Sequence, residues 1–167
     1  MDKKHLFLLI GIFWVVIIGG FIGFKEFTLR TGNEVLLRTI PVDPRDLFRG
    51  DYVILRYDVN NMDSYAEDID SGDTVYVSLN VDKDNIGSFA GISKEIPADG
   101  NFVKGSVTNK NGNRLTVEYG IESYFVPEGK GREIEHNMGE IYTKVALDKY
   151  GNAVIKTLIL DGKEINL

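Results

Sequence analysis

"DPRDLFRGDYVILRYDV", residues Asp43 to Val59, holds the reading on which the fold turns. In its second half Val53, Leu55, Tyr57 and Val59 fall on one side of an extended chain. Side chains alternate faces along a strand, so this run presents one apolar face. "DTVYVSLNV", Asp73 to Val81, repeats the pattern with Val75, Val77, Leu79 and Val81. Gly50-Asp51 leads into the first run, and Gly72-Asp73 leads into the second 22 residues later. Glycine permits a turn backbone, and an aspartate carboxylate can cap nearby amides as the chain straightens. The Gly-Asp of Arg49-Gly50-Asp51 therefore reads as the start of a strand. An adhesion ligand needs a mobile loop tip, and this tripeptide runs directly into a strand.

The same grammar continues in both directions. "EVLLRTI" (Glu34–Ile40) is another alternating run. "NFVKGSVT" and "NRLTVEYGI" flank Asn109-Lys110-Asn111-Gly112, a hairpin signal. "EIYTKVALD" and "NAVIKTLIL" flank Lys149-Tyr150-Gly151, and "LIL" turns through Asp161-Gly162 into "KEINL". Roughly eight or nine strands at this spacing predict an all-β domain, an antiparallel sandwich or a partly open barrel. Only a short helix near Gly131–His136 and a turn across Asp63–Asp68 interrupt the strand pattern.

Ahead of the strands stands "LFLLIGIFWVVIIGGFIGF", Leu6 to Phe24, with no charge. Nineteen residues at about 1.5 Å each nearly match a hydrocarbon core of roughly 30 Å. The run exceeds a signal-peptide h-region, no small-residue cleavage site follows it, and the chain has no cysteine for lipid attachment. This predicts an uncleaved single-pass anchor. Lys3 and Lys4 before the span place the N-terminus in the cytoplasm by the positive-inside rule. The expected organisation is a cytoplasmic N-terminus (1–5), a transmembrane anchor (6–24), a juxtamembrane linker (25–33) and an extracytoplasmic β domain (34–167). Beyond the span, 24 acidic and 17 basic side chains leave a net charge of about −7. That argues against nucleic acid as a partner and against tight adhesion to anionic headgroups. Gly11, Gly19 and Gly23 share a helix face, a candidate contact with another membrane helix.

Chemistry-bearing constellations are thin. Glu133, Glu135 and His136 have no second histidine or cysteine to complete a metal site. No dinucleotide or phosphate-loop fingerprint appears, so no cofactor is expected. The acid-rich stretch Asp58–Asp73 lacks EF-hand spacing. A Gly-Asp turn feeding an apolar strand behind one span resembles a short segment of type I signal peptidases. Thr28–Ile40, however, contains no serine, and acyl chemistry needs a placed nucleophile and base.

Two blocks are denser than scaffolding requires. In Pro41–Tyr57, Asp43, Arg45, Asp46, Arg49 and Asp51 alternate in sign behind Pro41 and Pro44. In Tyr119–Glu135 a strand runs into Pro-Glu-Gly-Lys-Gly. A bridge from Arg45 or Arg49 to Glu122, Glu128 or Glu135 would tie them together, as an internal buttress or a partner surface.

These blocks resemble a known family. Gly50-Asp51-Tyr52-x-x-Leu55-x-Tyr57 matches the motif that names the GDYXXLXY proteins. "PVDPRDLF", "GDTVYVSL", "FVKGSV", "YGIESYFVPEGKGREIE" and "LILDG" resemble its other blocks, from about Gly32 to Gly162. The resemblance implies a bacterial membrane-anchored protein with an exported domain, associated with a multi-pass membrane protein. It carries over no catalytic residue. The leading expectation is an accessory or interaction subunit. The alternatives are a cell-surface ligand-binding module or enzyme, with Arg45, Arg49, Asp51, Glu122 and Glu128 gathered in a pocket, and a self-associating surface protein with open sheet edges.

Overall fold

The computed structural model describes residues 3–40, 48–49, 52–63, 68–125 and 141–164. One helix, α1 (Lys3–Thr31), comes first. Among the described residues thirteen short strands follow. They are β1 (Asn33–Ile40), β2 (Phe48–Arg49), β3 (Tyr52–Ile54), β4 (Arg56–Tyr57), β5 (Asn61–Asp63), β6 (Thr74–Val81), β7 (Ile86–Ser93), β8 (Asn101–Asn111), β9 (Arg114–Glu118), β10 (Ser123–Phe125), β11 (Ile141–Leu147), β12 (Ala153–Leu160) and β13 (Lys163–Glu164). The chain is thus a β protein with one N-terminal helix. The regions read as a short helix near Gly131–His136 and most of the turn across Asp63–Asp68 lie outside the described residues.

Between Leu6 and Phe24 helix α1 is apolar all round, and its backbone groups satisfy one another. It is long and apolar enough to be a candidate membrane span. It runs two turns past Phe24, and Thr28 is its one buried residue among those described. Gly32 closes the last turn by donating to the Thr28 carbonyl (2.9 Å), and β1 begins at the next residue.

The main sheet runs β13-β12-β11-β1-β7-β6-β8-β9-β5, with β4 also pairing β1. Neighbours are antiparallel except β1 and β7, where Leu36 faces Ile86. Strands from β12 near one end of this order to β5 at the other contribute to one core. Val35 and Leu37 of β1, Val75 and Val77 of β6, Val117 of β9, Val145 of β11 and Leu158 of β12 belong to a single buried cluster. The sheet must therefore curl over that cluster. Register shifts at Ser78/Leu79, Val107/Asn109 and Lys144/Val145 supply bends, because a bulge increases local twist. Across the curl, the Lys104 amide of β8 donates to the Gly151 carbonyl in the β11–β12 turn (2.8 Å). Among the described residues the ladder stays open, so of the two predicted arrangements it is the partly open one.

The three hairpins form in the expected places. Asn111 pairs Arg114, Leu147 pairs Ala153 and Leu160 pairs Lys163. Two readings need correction. The run Asp51–Val59 is not one strand. Tyr52–Ile54 joins a separate three-stranded sheet (β10-β3-β2), Arg56–Tyr57 pairs β1, and Asp58–Asn60 form a single 3-10 turn. The apolar alternation persists because Leu55, Tyr57 and Val59 are all buried, although the backbone partners change. Strand β7 escapes the sequence reading because "IGSFAGIS" is rich in glycine and serine, with few of the large β-branched residues that signal a strand.

Gly105 of β8 shows how closely the elements meet. A side-chain carbon there would contact Val117, lie 2.8 Å from the Glu118 carbonyl oxygen and 2.9 Å from Tyr119 Cδ1. Gly91 of β7 has open space in the same place. Gly105→Ala is expected to destabilise the domain by about 1–3 kcal/mol through overpacking. Gly91→Ala should leave the urea midpoint unchanged or raise it. Equal midpoints for the two variants would contradict this packing.

Candidate functional site

The motif's second half builds a buried polar clamp. Where β4 leaves β1, the Tyr57 amide donates to Asn60 Oδ1 (2.5 Å). Asn60 Nδ2 donates to the Val117 carbonyl at the end of β9 (2.6 Å) and to Glu122 Oε1 (3.3 Å). Glu122 Oε1 also accepts the Tyr119 amide (2.5 Å). Two tyrosines cross between the segments. The Tyr57 hydroxyl donates to the Ile121 carbonyl (2.6 Å), and the Tyr119 hydroxyl donates to the Val59 carbonyl. The Leu55 amide donates to the Glu122 carbonyl (2.8 Å), which extends the clamp into the small sheet. Tyr57, Val59 and Asn60 are buried, as are Tyr119 and Ile121. An unpaired polar group there would cost its desolvation, and among the described residues no buried side-chain polar atom lacks a partner.

This surrounding sets the ionisation of the clamp. Burial pushes the Tyr57 phenol far above its ordinary range. A Thr143 hydrogen bond opposes that shift, and the Glu122 charge adds to it. Burial does the same to Tyr119, reinforced by Glu122 and Asp58. Burial also raises the Asp58 carboxyl, against the Val59 amide and the Arg38 charge. The folded state therefore favours neutral phenols. The stability this confers is complete below the unfolded tyrosine value near 10 and is lost as pH rises above it. In an alkaline absorbance titration, Tyr57 and Tyr119 should ionise only with unfolding. Replacing both by phenylalanine should remove two late-titrating groups. Normal titration of both in the folded protein would contradict the clamp.

The strand-start role of Gly-Asp is visible at the second copy. Gly72 has φ +94°, a conformation side chains resist. The Asp73 carboxylate accepts the Asp70 amide (2.8 Å) and pairs with Lys94 (2.7 Å), which holds its carboxyl below the usual range. At the first copy, Gly50 and Asp51 lie outside the described residues, as do Asp43, Arg45, Glu128 and Glu135. Arg49 and Tyr52 face each other in the β2–β3 register. Leu55 and Tyr57 are core residues, and Glu122 is a clamp residue. The arginine side chains of the expected Arg–Glu bridge fall outside the described residues. Gly11, Gly19 and Gly23 lie on α1, and a side-chain carbon at any of them would meet nothing within 4 Å, so their face is open.

Sequence reasoning missed Asn60 and the Tyr119 hydroxyl. The available signal was Asn60-Asn61 placed where the alternation fails, since polar amides there can bond the backbone locally.

Two cavities flank the foot of α1. One of about 520 Å³ is walled by Phe24, Phe27 and Thr28 together with Pro97, Lys149 and Tyr150. The other, about 310 Å³, lies beside Lys25, Lys104 and Glu118.

An open, curled β sheet carried on one apolar N-terminal helix, with its motif tyrosine locked into the core, defines a helix-borne β-domain protein. The chain belongs to the GDYXXLXY protein family, whose model matches residues 14–158. The match starts inside α1 and crosses its junction with β1, so helix foot and domain are one family unit. No curated protein and no solved structure matches the chain.

Proposed function

We propose that this is a single-pass bacterial membrane protein whose extracytoplasmic β domain serves as an accessory subunit of a multi-pass membrane protein. The observation that carries this reading is the state of α1. Nineteen successive apolar residues are exposed, an arrangement stable only against lipid or another apolar helix. Its glycine face is open to close helix contact. The helix foot is also packed into the domain through Thr28 and Gly32. A partner holding the span would thereby fix the orientation of the domain.

The alternative of a pocket built on Arg45, Arg49 and Glu122 draws no support from Glu122. Its carboxylate is engaged by Tyr119 and Asn60 inside the clamp.

Absence of cysteine makes topology simple to test. Asn113→Cys should react with an impermeant maleimide in intact cells, and Asp2→Cys only after lysis. The opposite pattern would overturn the orientation. For association, the full chain cross-linked in its native membrane should give a discrete hetero-oligomer that Gly19→Leu/Gly23→Leu weakens at least about tenfold. A monomer under those conditions would sink the subunit reading.

A further inference from the structure

The larger cavity lies at a depth that the helix itself defines. Phe24 is the last residue of the apolar run and also part of the cavity wall. If the run fills the hydrocarbon core, the polar layer beyond it is roughly 5–7 Å thick on each side. Phe27, also in the wall, is three residues further along, about 4.5 Å of helix. The helix side of the cavity wall and the headgroup layer therefore share one level.

The domain has little freedom to lift away. Thr28 is buried against it, and a side-chain carbon on Gly32 would sit 2.6 Å from the Thr28 carbonyl oxygen and 2.9 Å from that of Leu147. The rim chemistry fits the same level. Among the described residues of the β domain, the exposed large apolar side chains are Ile54, Phe89, Ile96 and Tyr150. Tyr150 lines the cavity, and Ile96 precedes the lining residue Pro97. The Lys149 ammonium lies over the Tyr150 ring, 4.9 Å from its centroid. Lysine and aromatic side chains together anchor proteins at membrane interfaces. Asp148 is committed to its own turn, accepting the Tyr150 and Asn152 amides at 2.8 Å. Asp99, Asp148 and Lys149 line the wall, so it carries charges of both signs with one negative charge in excess.

We propose that this cavity and its rim are a lipid seat, filled by the headgroup and glycerol region of a zwitterionic phospholipid, with Ile96 and Tyr150 in the interfacial layer. Opposite charges match a zwitterion, and the acidic domain surface disfavours anionic lipid. The inference rests on the membrane-spanning reading of α1, and its test separates the two.

The single tryptophan, Trp14, lies near the middle of the apolar run and reports on the span. Full-length protein is reconstituted in phosphatidylcholine nanodiscs carrying bromine at shallow or deep acyl positions. W14F/Y150W and W14F/I96W move the reporter to the rim, where both native side chains are half-exposed. Both rim reporters should lose about half or more of their emission with shallow bromines and much less with deep ones, and Trp14 in the parent the reverse. Quenching at neither rim site, or at only one, with Trp14 quenched, overturns the seat and leaves the span standing. An unquenched Trp14 overturns the span and the seat with it.

Discussion

Tyr57→Ala is expected to abolish cooperative folding of the β domain. The side chain is fully buried at the meeting of β4, β1 and the Tyr119–Glu122 segment. Removing a buried aromatic ring costs about 3–5 kcal/mol. It also strips the Ile121 carbonyl of its donor, adding about 1–3 kcal/mol for an unsatisfied buried group. The sum rivals the whole stability of a typical domain, about 5–15 kcal/mol. Tyr57→Phe separates the two contributions: it keeps the ring and should lose only about 1–3 kcal/mol. Urea unfolding of the full chain in mild detergent, followed by circular dichroism, reads both. A cooperative Tyr57→Ala transition at the parent midpoint would show that the motif tyrosine is not a core element.

Asn60→Ala should come close behind, although it removes almost no apolar surface. Its side chain serves the Tyr57 amide, the Val117 carbonyl and the Glu122 carboxylate at once. Truncation orphans the first two in a buried setting, at about 1–3 kcal/mol each. It also frees the turn that lets the chain step from β1 to β9. A loss of about 3–5 kcal/mol is expected. The discriminating comparison is Asn61→Ala, one residue on, which is exposed and whose side chain accepts the Thr116 hydroxyl (3.0 Å). It should lose under about 1 kcal/mol. Equal losses at both positions would mean that Asn60 is an ordinary turn residue.

Much of the architecture was legible because it depends on local pattern. Val75, Val77 and Leu79 alternate in sequence and are buried in the structure. The hairpin turns stand where their Gly and Asn signals stand. The candidate span needed only length and the absence of charge. The candidate site was less legible. Leu55, Tyr57 and Glu122 read from the sequence as either structural or partner-facing, and the structure brings them together with Leu55 and Tyr57 buried and Glu122 half-buried. Alternation says which way Tyr57 faces and nothing about what its hydroxyl meets.

The sequence by itself determined an all-β domain behind one apolar helix, and the family through Gly50-Asp51-Tyr52-x-x-Leu55-x-Tyr57. Only the tertiary structure decided what Leu55 and Tyr57 of that motif do. Tyr57 bonds a residue 64 positions away, Asn60 one 57 away and Tyr119 one 60 away. Likewise, only packing brought the foot of α1 against the β11–β12 hairpin and opened a cavity at the level of Phe24. The physical reason is the same in each case. Periodicity encodes which face of an element is apolar, whereas hydrogen-bond partners and cavities arise from segments that meet only when the sheet curls.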